Sequence, residues 1–118
     1  MSAVKLRSLH SPDLDVGSSP SDPNDCRVLI EATIGPADSP GGDIFSFLAV
    51  TPAALARLGT QWGRGSLIVQ SFSWSEVERM LGRLIAQSTR PTWHETAAQL
   101  NKELLWEFDN YSPHTPDV

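Results

Sequence analysis

Side chains that often carry chemistry are scattered along this chain, and two groups of them resemble the beginning of a known metal site. The His-Glu pair at 94–95 would start the zinc-protease motif His-Glu-x-x-His, but Ala98 occupies the position of the second histidine. The Asp-x-Asn pattern at 22–24 would start a calcium-binding loop, but Arg27 occupies the position that requires glycine. The sequence therefore predicts no metal at either place.

Three further groups have weaker claims to a chemical role. His10, Asp13 and Asp15 are of metal-binding types, but the Ser-Pro-Asp segment among them is ordinary turn sequence. A catalytic thiol needs a nearby base and a lowered pKa, whereas a lone cysteine at a strand edge, as predicted for Cys26, usually packs as a small residue. The glycine-rich segment 59–66 follows a predicted helix and opens a strand, which reverses the order found in phosphate-binding loops. We predict no catalytic residue, no metal and no cofactor, and therefore no enzyme.

The elements that would position these side chains follow from the spacing of apolar residues. Alternation over 4–7 predicts a strand, and the segment 11–25, rich in Pro, Ser, Asp and Gly, predicts a long loop. Segments 26–34 and 44–51 are predicted strands, which the glycine-rich turn at 35–42 joins into an antiparallel hairpin. The second of these strands carries apolar residues on both faces, so we expect both faces to be covered, at least in part.

Caps and apolar stripes predict the helices of the second half. The Thr-Pro pair at 51–52 begins a short helix that ends at the Leu-Gly pair at 58–59. After a predicted strand at 66–73, Ser75 and Glu78 form a capping box for a long amphipathic helix. The apolar stripe of that helix consists of Val77, Met80, Leu81, Leu84 and Ile85.

A second capping box and a last strand complete the predicted domain. Thr92 and Glu95 open a third helix. Its apolar stripe consists of Trp93, Ala97, Leu100 and Leu104. Alternation over 104–108 predicts a short final strand, and the two prolines in 112–118 predict a loose tail. The order of elements predicts a single α+β domain over residues 1–111, with a mostly antiparallel sheet of about five strands and two to three helices on one face.

Composition and charge limit the kinds of partner. The chain has 118 residues, one cysteine and a formal net charge of −5. An acidic protein lacks the basic face that nucleic acid or an anionic membrane requires, and no segment approaches the ~20 apolar residues that span a bilayer. The N-terminus does not have the pattern of a signal peptide, and a lone cysteine is typical of a reducing compartment. The sequence predicts a soluble cytoplasmic protein with no nucleic-acid partner and no membrane partner.

The negative charge is concentrated in one part of the chain. Residues 11–43 hold seven acidic side chains and one basic side chain, a net charge of −6. These acids are either turn residues that bond to nearby backbone or contacts for a partner. The candidate contacts are Asp13, Asp15, Asp22, Asp25, Asp38 and Asp43. Trp62, in a loop beside glycines, is either an exposed interface anchor or a packed lid.

Short motifs along residues 9–111 form a specific series. In order they are Leu9-His10-Ser11-Pro12-Asp13, Ile34-Gly35-Pro36, Phe45-x-Phe47 leading to Thr51-Pro52, Leu67-Ile68-Val69, Thr92-Trp93-x-Glu95 and Trp106-Glu107-Phe108-Asp109-x-Tyr111. Together they resemble the immunity protein 8 family of bacterial polymorphic toxin systems. One departure is the Ala-Ala pair at 53–54, where the family pattern leads us to expect a bulky residue, and it concerns only the packing of the first helix.

The resemblance implies an intracellular protein that binds a cognate toxin domain and blocks it without catalysis. The clustered charge leads us to expect that the block acts by occlusion. Many toxins act on nucleic acid through a basic groove, which an acidic surface would approach quickly and occupy. Two other classes stay open, namely an acidic regulatory or adaptor domain that is not linked to a toxin, and a structural subunit of a larger assembly. An adjacent gene that encodes a toxin domain would favour the immunity role over the first alternative. Size-exclusion chromatography of the purified protein tests the second.

Overall fold

A computed structural model describes residues 3–109, which form one five-stranded sheet and three helices. In chain order the elements are β1 (Val4–His10), β2 (Arg27–Pro36), β3 (Asp43–Val50), α1 (Pro52–Leu58), β4 (Ser66–Ile68), α2 (Trp74–Ser88), α3 (Trp93–Leu100) and β5 (Leu105–Trp106). This order confirms the predicted α+β class. The predicted domain end at 111 and the predicted tail at 112–118 lie outside the described residues. No helix within 3–109 is both long and apolar enough to cross a membrane.

The pairing of β2 with β3 forms the centre of the sheet, whose strand order is β1-β2-β3-β4. Its antiparallel register runs from Arg27 opposite Val50 to Ile34 opposite Asp43. Because successive side chains of a strand point to opposite faces, every second residue of the pair reaches the same face. The buried side chains on that face are Val28, Ile30, Ala32, Ile34, Phe45, Phe47 and Ala49.

Two helices cover this face and complete the core. Val77, Leu81 and Ile85 of α2 belong to the same buried cluster, as do Ala97 and Leu100 of α3. Their spacing of three or four residues places them on one side of each helix, as the stripes predict. The predicted packing of helices against one face of the sheet is thus observed for α2 and α3.

The start of α2 differs from the prediction by two residues. The capping box of α3 at 92–95 is confirmed, but the box predicted at 75–78 is wrong. The cap of α2 is Ser73, whose hydroxyl accepts the Glu76 N–H at 3.3 Å. The pattern Ser-x-x-Glu occurs in two overlapping frames, and the helix uses the earlier one. Its first residue, Trp74, donates its indole N–H to the Ser18 carbonyl oxygen of the long loop, 2.9 Å away.

Two short strands share the outer side of β3. β5 pairs antiparallel with the first half of β3, and β4 pairs parallel with the second half. Both are shorter than the strands predicted at 66–73 and 104–108. Val69 still donates its N–H to the Val50 carbonyl, and the chain then leaves the sheet. The Phe72 N–H donates to the Pro23 carbonyl at 2.7 Å, and the next residue caps α2. Long-range contacts of the backbone therefore override the apolar pattern here.

Two glycines allow the backbone segments at the β2–β3 turn to approach closely. A Cβ on Gly42 would lie 2.5 Å from the Ile34 carbonyl oxygen, and a Cβ on Gly35 would lie 2.6 Å from the Gly41 carbonyl oxygen. Both distances are shorter than side chains tolerate against backbone. By contrast, a Cβ on Gly82, within α2, would meet no atom within 4 Å.

The two kinds of glycine predict opposite effects of one substitution. Gly42→Ala should lower the free energy of unfolding by about 1–3 kcal/mol, because the backbone of the turn must shift. Gly82→Ala should raise it by about 0.5–1 kcal/mol, because alanine favours the helix. Urea unfolding followed by tryptophan fluorescence measures both, and a Gly42→Ala variant as stable as the wild type or more stable would contradict the close approach at the turn.

Candidate functional site

Acidic side chains shape the loop at 11–26. Asp13 Oδ2 accepts the N–H of Leu29 at 3.0 Å. The pairing of β1 with β2 ends at His10 opposite Glu31, so this carboxylate bonds to the next N–H of β2 on that side. Asp22 Oδ1 accepts the N–H of Asn24 at 3.0 Å and so forms an Asx turn. Both residues remain exposed to solvent. The carboxylates of the loop therefore stabilise its conformation and are still accessible to a partner.

Asp25 and Cys26 lead into β2 next to α1. Asp25 Oδ1 and Arg57 Nη1 form an ion pair at 2.5 Å, and the Cys26 thiol donates to the Pro23 carbonyl at 3.6 Å. Burial raises the pKa of the Cys26 thiol, and the nearby carboxylates of Asp22 and Asp25 raise it further. Because a thiol with a raised pKa is mostly protonated at neutral pH, this environment disfavours a nucleophile.

Asp38 and Asp43 lie at the other end of the hairpin, in different environments. Asp38 is exposed and has no hydrogen bond or ion pair through its side chain among residues 3–109. Asp43 is half-buried, and its Oδ2 accepts the indole N–H groups of Trp93 at 3.2 Å and of Trp106 at 3.0 Å. The Phe45 ring stacks on Trp106 and meets Trp93 edge-on. One carboxylate oxygen thus links β3 to the start of α3 and to β5.

The six candidate acids do not form one patch. The residue pair Arg27–Val50 lies at one end of the hairpin and the pair Ile34–Asp43 at the other. These pairs are seven residues apart, which is about 23 Å along a strand. The acids at 13–25 belong to the first end, and the acids at 38 and 43 belong to the second. The concentration of charge in the sequence is therefore divided between two places in the fold.

Trp62 lies fully in solvent in the loop between α1 and β4. Its side chain is 95% exposed. Two residues further on, Arg64 holds the loop, since its guanidinium donates to the carbonyl oxygen of Asn101 at 2.6 Å and to that of Leu104 at 3.2 Å. The interpretation of Trp62 as a packed lid is wrong, and the structure presents its indole from an anchored loop.

The sheet face opposite α2 and α3 was not singled out by the sequence, and it carries exposed apolar side chains. Residues paired across strands share a face, so the register assigns the outward side chains. The apolar residues on this face are Leu29, Ile44, Leu48, Val50, Ile68 and Leu105, of which Val50 is buried. Ile68 is 55% exposed and Leu105 is 40% exposed. The outward face of β3 is thus covered only in part, within what the sequence led us to expect. The apolar residues at the outward positions of β3 were the sequence signal that could have identified this surface.

A cleft of about 310 Å³ lies on the helical side of β4. Leu67 of β4 and Met80 and Leu84 of α2 form its apolar wall. Arg83 and Gln87 add polar groups to the lining. Exposed apolar surface therefore lies on both sides of β4, with the cleft on one side and the open sheet face on the other.

The weaker metal candidates are not assembled into a site. His10 Nε2 lies 2.9 Å from Glu31 Oε1, in a polar contact across β1 and β2. Asp13 bonds to the backbone instead, as described above. Within residues 3–109, no group of three or more His, Cys, Asp or Glu side chains is placed to hold a metal ion.

The fold and this surface define a small α+β domain that exposes acidic and apolar side chains around one end and one edge of its sheet. The chain belongs to the immunity protein 8 family, whose family model matches residues 4–111. This match confirms the resemblance that the motifs indicate. No curated protein matches the chain, and no solved structure matches it.

The bonds made by Asp43 predict a structural role for its carboxylate. Asp43→Ala should lower the free energy of unfolding by about 2–3 kcal/mol, because two indole N–H groups lose an ionised acceptor. Asp38→Ala, which removes an exposed carboxylate from the same end of the hairpin, should change it by less than about 0.5 kcal/mol. Urea unfolding compares the two, and equal midpoints would show that the indole bonds do not stabilise the fold.

The environment of Cys26 predicts slow alkylation. The pH midpoint of its reaction with iodoacetamide should be higher in the folded protein than in the urea-unfolded chain, because the folded thiol has the higher pKa. Asp22→Asn should lower that midpoint by removing a negative charge, whereas Asp38→Asn should not change it. If Asp22→Asn leaves the midpoint in place, the carboxylate does not act on the thiol.

Proposed function

We propose that this chain binds a cognate toxin domain and neutralises it by covering the surface that the toxin uses, without catalysis. Membership of the immunity protein 8 family carries this proposal, because the family model matches most of the chain. Action without catalysis is supported by the environment of Cys26, because burial and the neighbouring carboxylates raise the pKa of its thiol and so disfavour a nucleophile. We place this action in the cytoplasm, where a lone cysteine stays reduced.

The proposed contacts are the acids that the fold leaves accessible. Asp13, Asp15 and Asp22 are exposed and lie on one loop, so they form the main acidic contact. Asp38 would be a separate contact at the far end of the hairpin. Asp25 is paired with Arg57. Asp25 would therefore contact the toxin less readily than the free acids, and the Oδ2 of Asp43 is occupied by two indole N–H groups.

Charge and an aromatic anchor would have different effects on binding. Acids on a loop speed the approach of a basic toxin surface and compete with its phosphate-containing substrate. An exposed indole such as Trp62 supplies buried area once contact is made, as tryptophans do at the centres of interfaces. Occlusion by these two means requires no reacting group on the immunity protein.

Co-expression tests the proposal directly. The protein encoded by the gene next to that of this chain should arrest growth when it is expressed alone, and this chain should restore growth and co-purify with it. An immunity protein without catalysis should act in a one-to-one amount, so growth should fall when the toxin is in excess. Failure of both rescue and co-purification would overturn the proposal and favour an adaptor role.

Salt dependence tests the acidic contacts. The variant with Asp13, Asp15 and Asp22 all changed to Asn should bind the toxin about tenfold more weakly at low salt, mainly through slower association. Its affinity should also change less with salt concentration than the wild-type affinity does. Asp38→Asn is the control at the other end of the hairpin, and we expect a smaller effect because it removes one isolated charge.

Biolayer interferometry between about 50 and 500 mM salt gives the association and dissociation rates. These rates separate the contribution of charge from that of apolar contact, because the distance over which charges interact becomes shorter as the salt concentration rises. An unchanged association rate and an unchanged salt slope in the triple variant would exclude the acidic loop from recognition. Binding itself would then have to depend on the apolar surface.

A further inference from the structure

We propose that the outer edge of β4 is a docking site at which the toxin adds an extended segment to the sheet as a further strand. This inference rests on the proposed function and names the part of the surface through which it acts. Addition of a strand to a free sheet edge is a common mode of peptide recognition, because backbone groups supply affinity and alternate side chains supply specificity.

Backbone hydrogen bonds determine which groups of β4 are free. The Leu48 N–H donates to the Gly65 carbonyl at 2.8 Å, and the Val69 N–H donates to the Val50 carbonyl at 3.0 Å. In a parallel ladder with these bonds, the N–H and C=O groups of Leu67 point towards β3, and those of the residues before and after it point away. The N–H and C=O groups of Ser66 and Ile68 therefore point outward, where an incoming strand would find them.

The two edges of the sheet are protected to different degrees. β1 carries the charged side chains of Lys5 and Arg7, and its pairing with β2 is irregular between Leu6 and Ser8. Charges and bulges are the usual means by which proteins prevent pairing at an edge. β4 is protected only by its length of three residues, since Ser66–Ile68 contain no charged residue and no proline and pair with β3 in regular register. The edge at β4 is thus less protected than the edge at β1.

Both sides of this edge could receive side chains of an added strand. The cleft of about 310 Å³ beside Leu67 and Leu84 lies on the helical side. Ile68, which is 55% exposed, lies on the open face. Because side chains of a strand alternate between faces, successive residues of the segment would enter the cleft and cover Ile68 in turn. We infer an occupant with apolar residues at alternating positions.

The charge beyond the end of β4 specifies one more property of the occupant. Phe72, four residues after β4 ends, donates its N–H to the carbonyl of Pro23. This bond places the acidic loop next to the segment that follows β4. The exposed Asp22 is adjacent to Pro23 in sequence. The exposed Arg27 also lies at this end, opposite Val50, and Arg57 is paired with Asp25. The four acids of the loop outnumber these two basic residues, so a Lys or Arg at that end of the segment would meet a net negative charge. The proposed occupant is therefore an extended apolar segment of the toxin that ends in a basic residue.

Residue-resolved amide exchange tests the backbone contact. The probe is the protein encoded next to this chain's gene, added to the full chain labelled for NMR. The amides of Ser66 and Ile68 should exchange quickly in the free protein and be protected at least about tenfold in the complex, because a strand bonds to them. Protection of these amides in the chain alone at high concentration would instead identify a second copy as the occupant, which would overturn the proposal.

Two substitutions at one position separate the backbone from the side chain. Ile68→Ala and Ile68→Pro both remove the exposed side chain, but only proline removes the outward N–H, and proline is tolerated at an edge where that N–H faces solvent. Ile68→Pro should bind the toxin about tenfold more weakly than Ile68→Ala, the equivalent of one hydrogen bond with its desolvation. Urea unfolding of both variants verifies that the fold persists, and the exchange measurement on the wild-type chain needs no variant.

The outcomes distinguish this inference from the proposed function. Protected amides with weaker binding of Ile68→Pro support both. A stable complex in which these amides exchange freely, and in which the two variants bind equally, overturns the docking site but leaves the immunity function in place. Absence of any complex with the neighbouring gene product overturns both.

Discussion

The antiparallel register between β2 and β3 determines the surroundings of almost every other element. With Ile30 opposite Phe47, one face of the pair becomes a continuous apolar surface, against which α2 and α3 pack. The same register fixes the opposite face, because a shift by one residue would exchange the two. It also places Asp43 on the helical face, in line with Phe45, where its carboxylate meets two indole groups. The β2–β3 register thus determines the core, the open face of the sheet and the position of the Asp43 carboxylate.

This register also explains why a charge cluster in the sequence is not a cluster in space. A hairpin carries the chain from one end of the sheet to the other, so acids before β2 and acids in the turn finish far apart. Asp13, Asp15 and Asp22 remain together on the loop, whereas Asp38 is isolated and Asp43 is internal. For recognition, the acidic loop and the β4 edge lie towards the same end of the sheet, where one partner would contact both.

The immunity function proposed here requires a surface and not a reaction, and the molecule offers surface in two chemically different forms. Charge on a loop acts at long range and is sensitive to salt. Apolar side chains and free backbone groups at β4 act only on contact and determine how long a complex lasts. Trp62, held near this edge by the bonds of Arg64, belongs to the second form. A partner that satisfied both would bind quickly and dissociate slowly.

The sequence by itself determined the α+β class, the order of elements, the caps of α1 and α3, the apolar stripe of α2 and the family, because these depend on local spacing and on ordered motifs. Only the tertiary structure decided the parallel pairing of β4, the cap at Ser73 and the internal role of Asp43. Each depends on residues far apart in the chain: Phe72 on Pro23, and Asp43 on two indoles more than forty positions away. Periodicity reports which faces a segment has, whereas the partners of those faces are set by long-range contacts that local spacing does not encode.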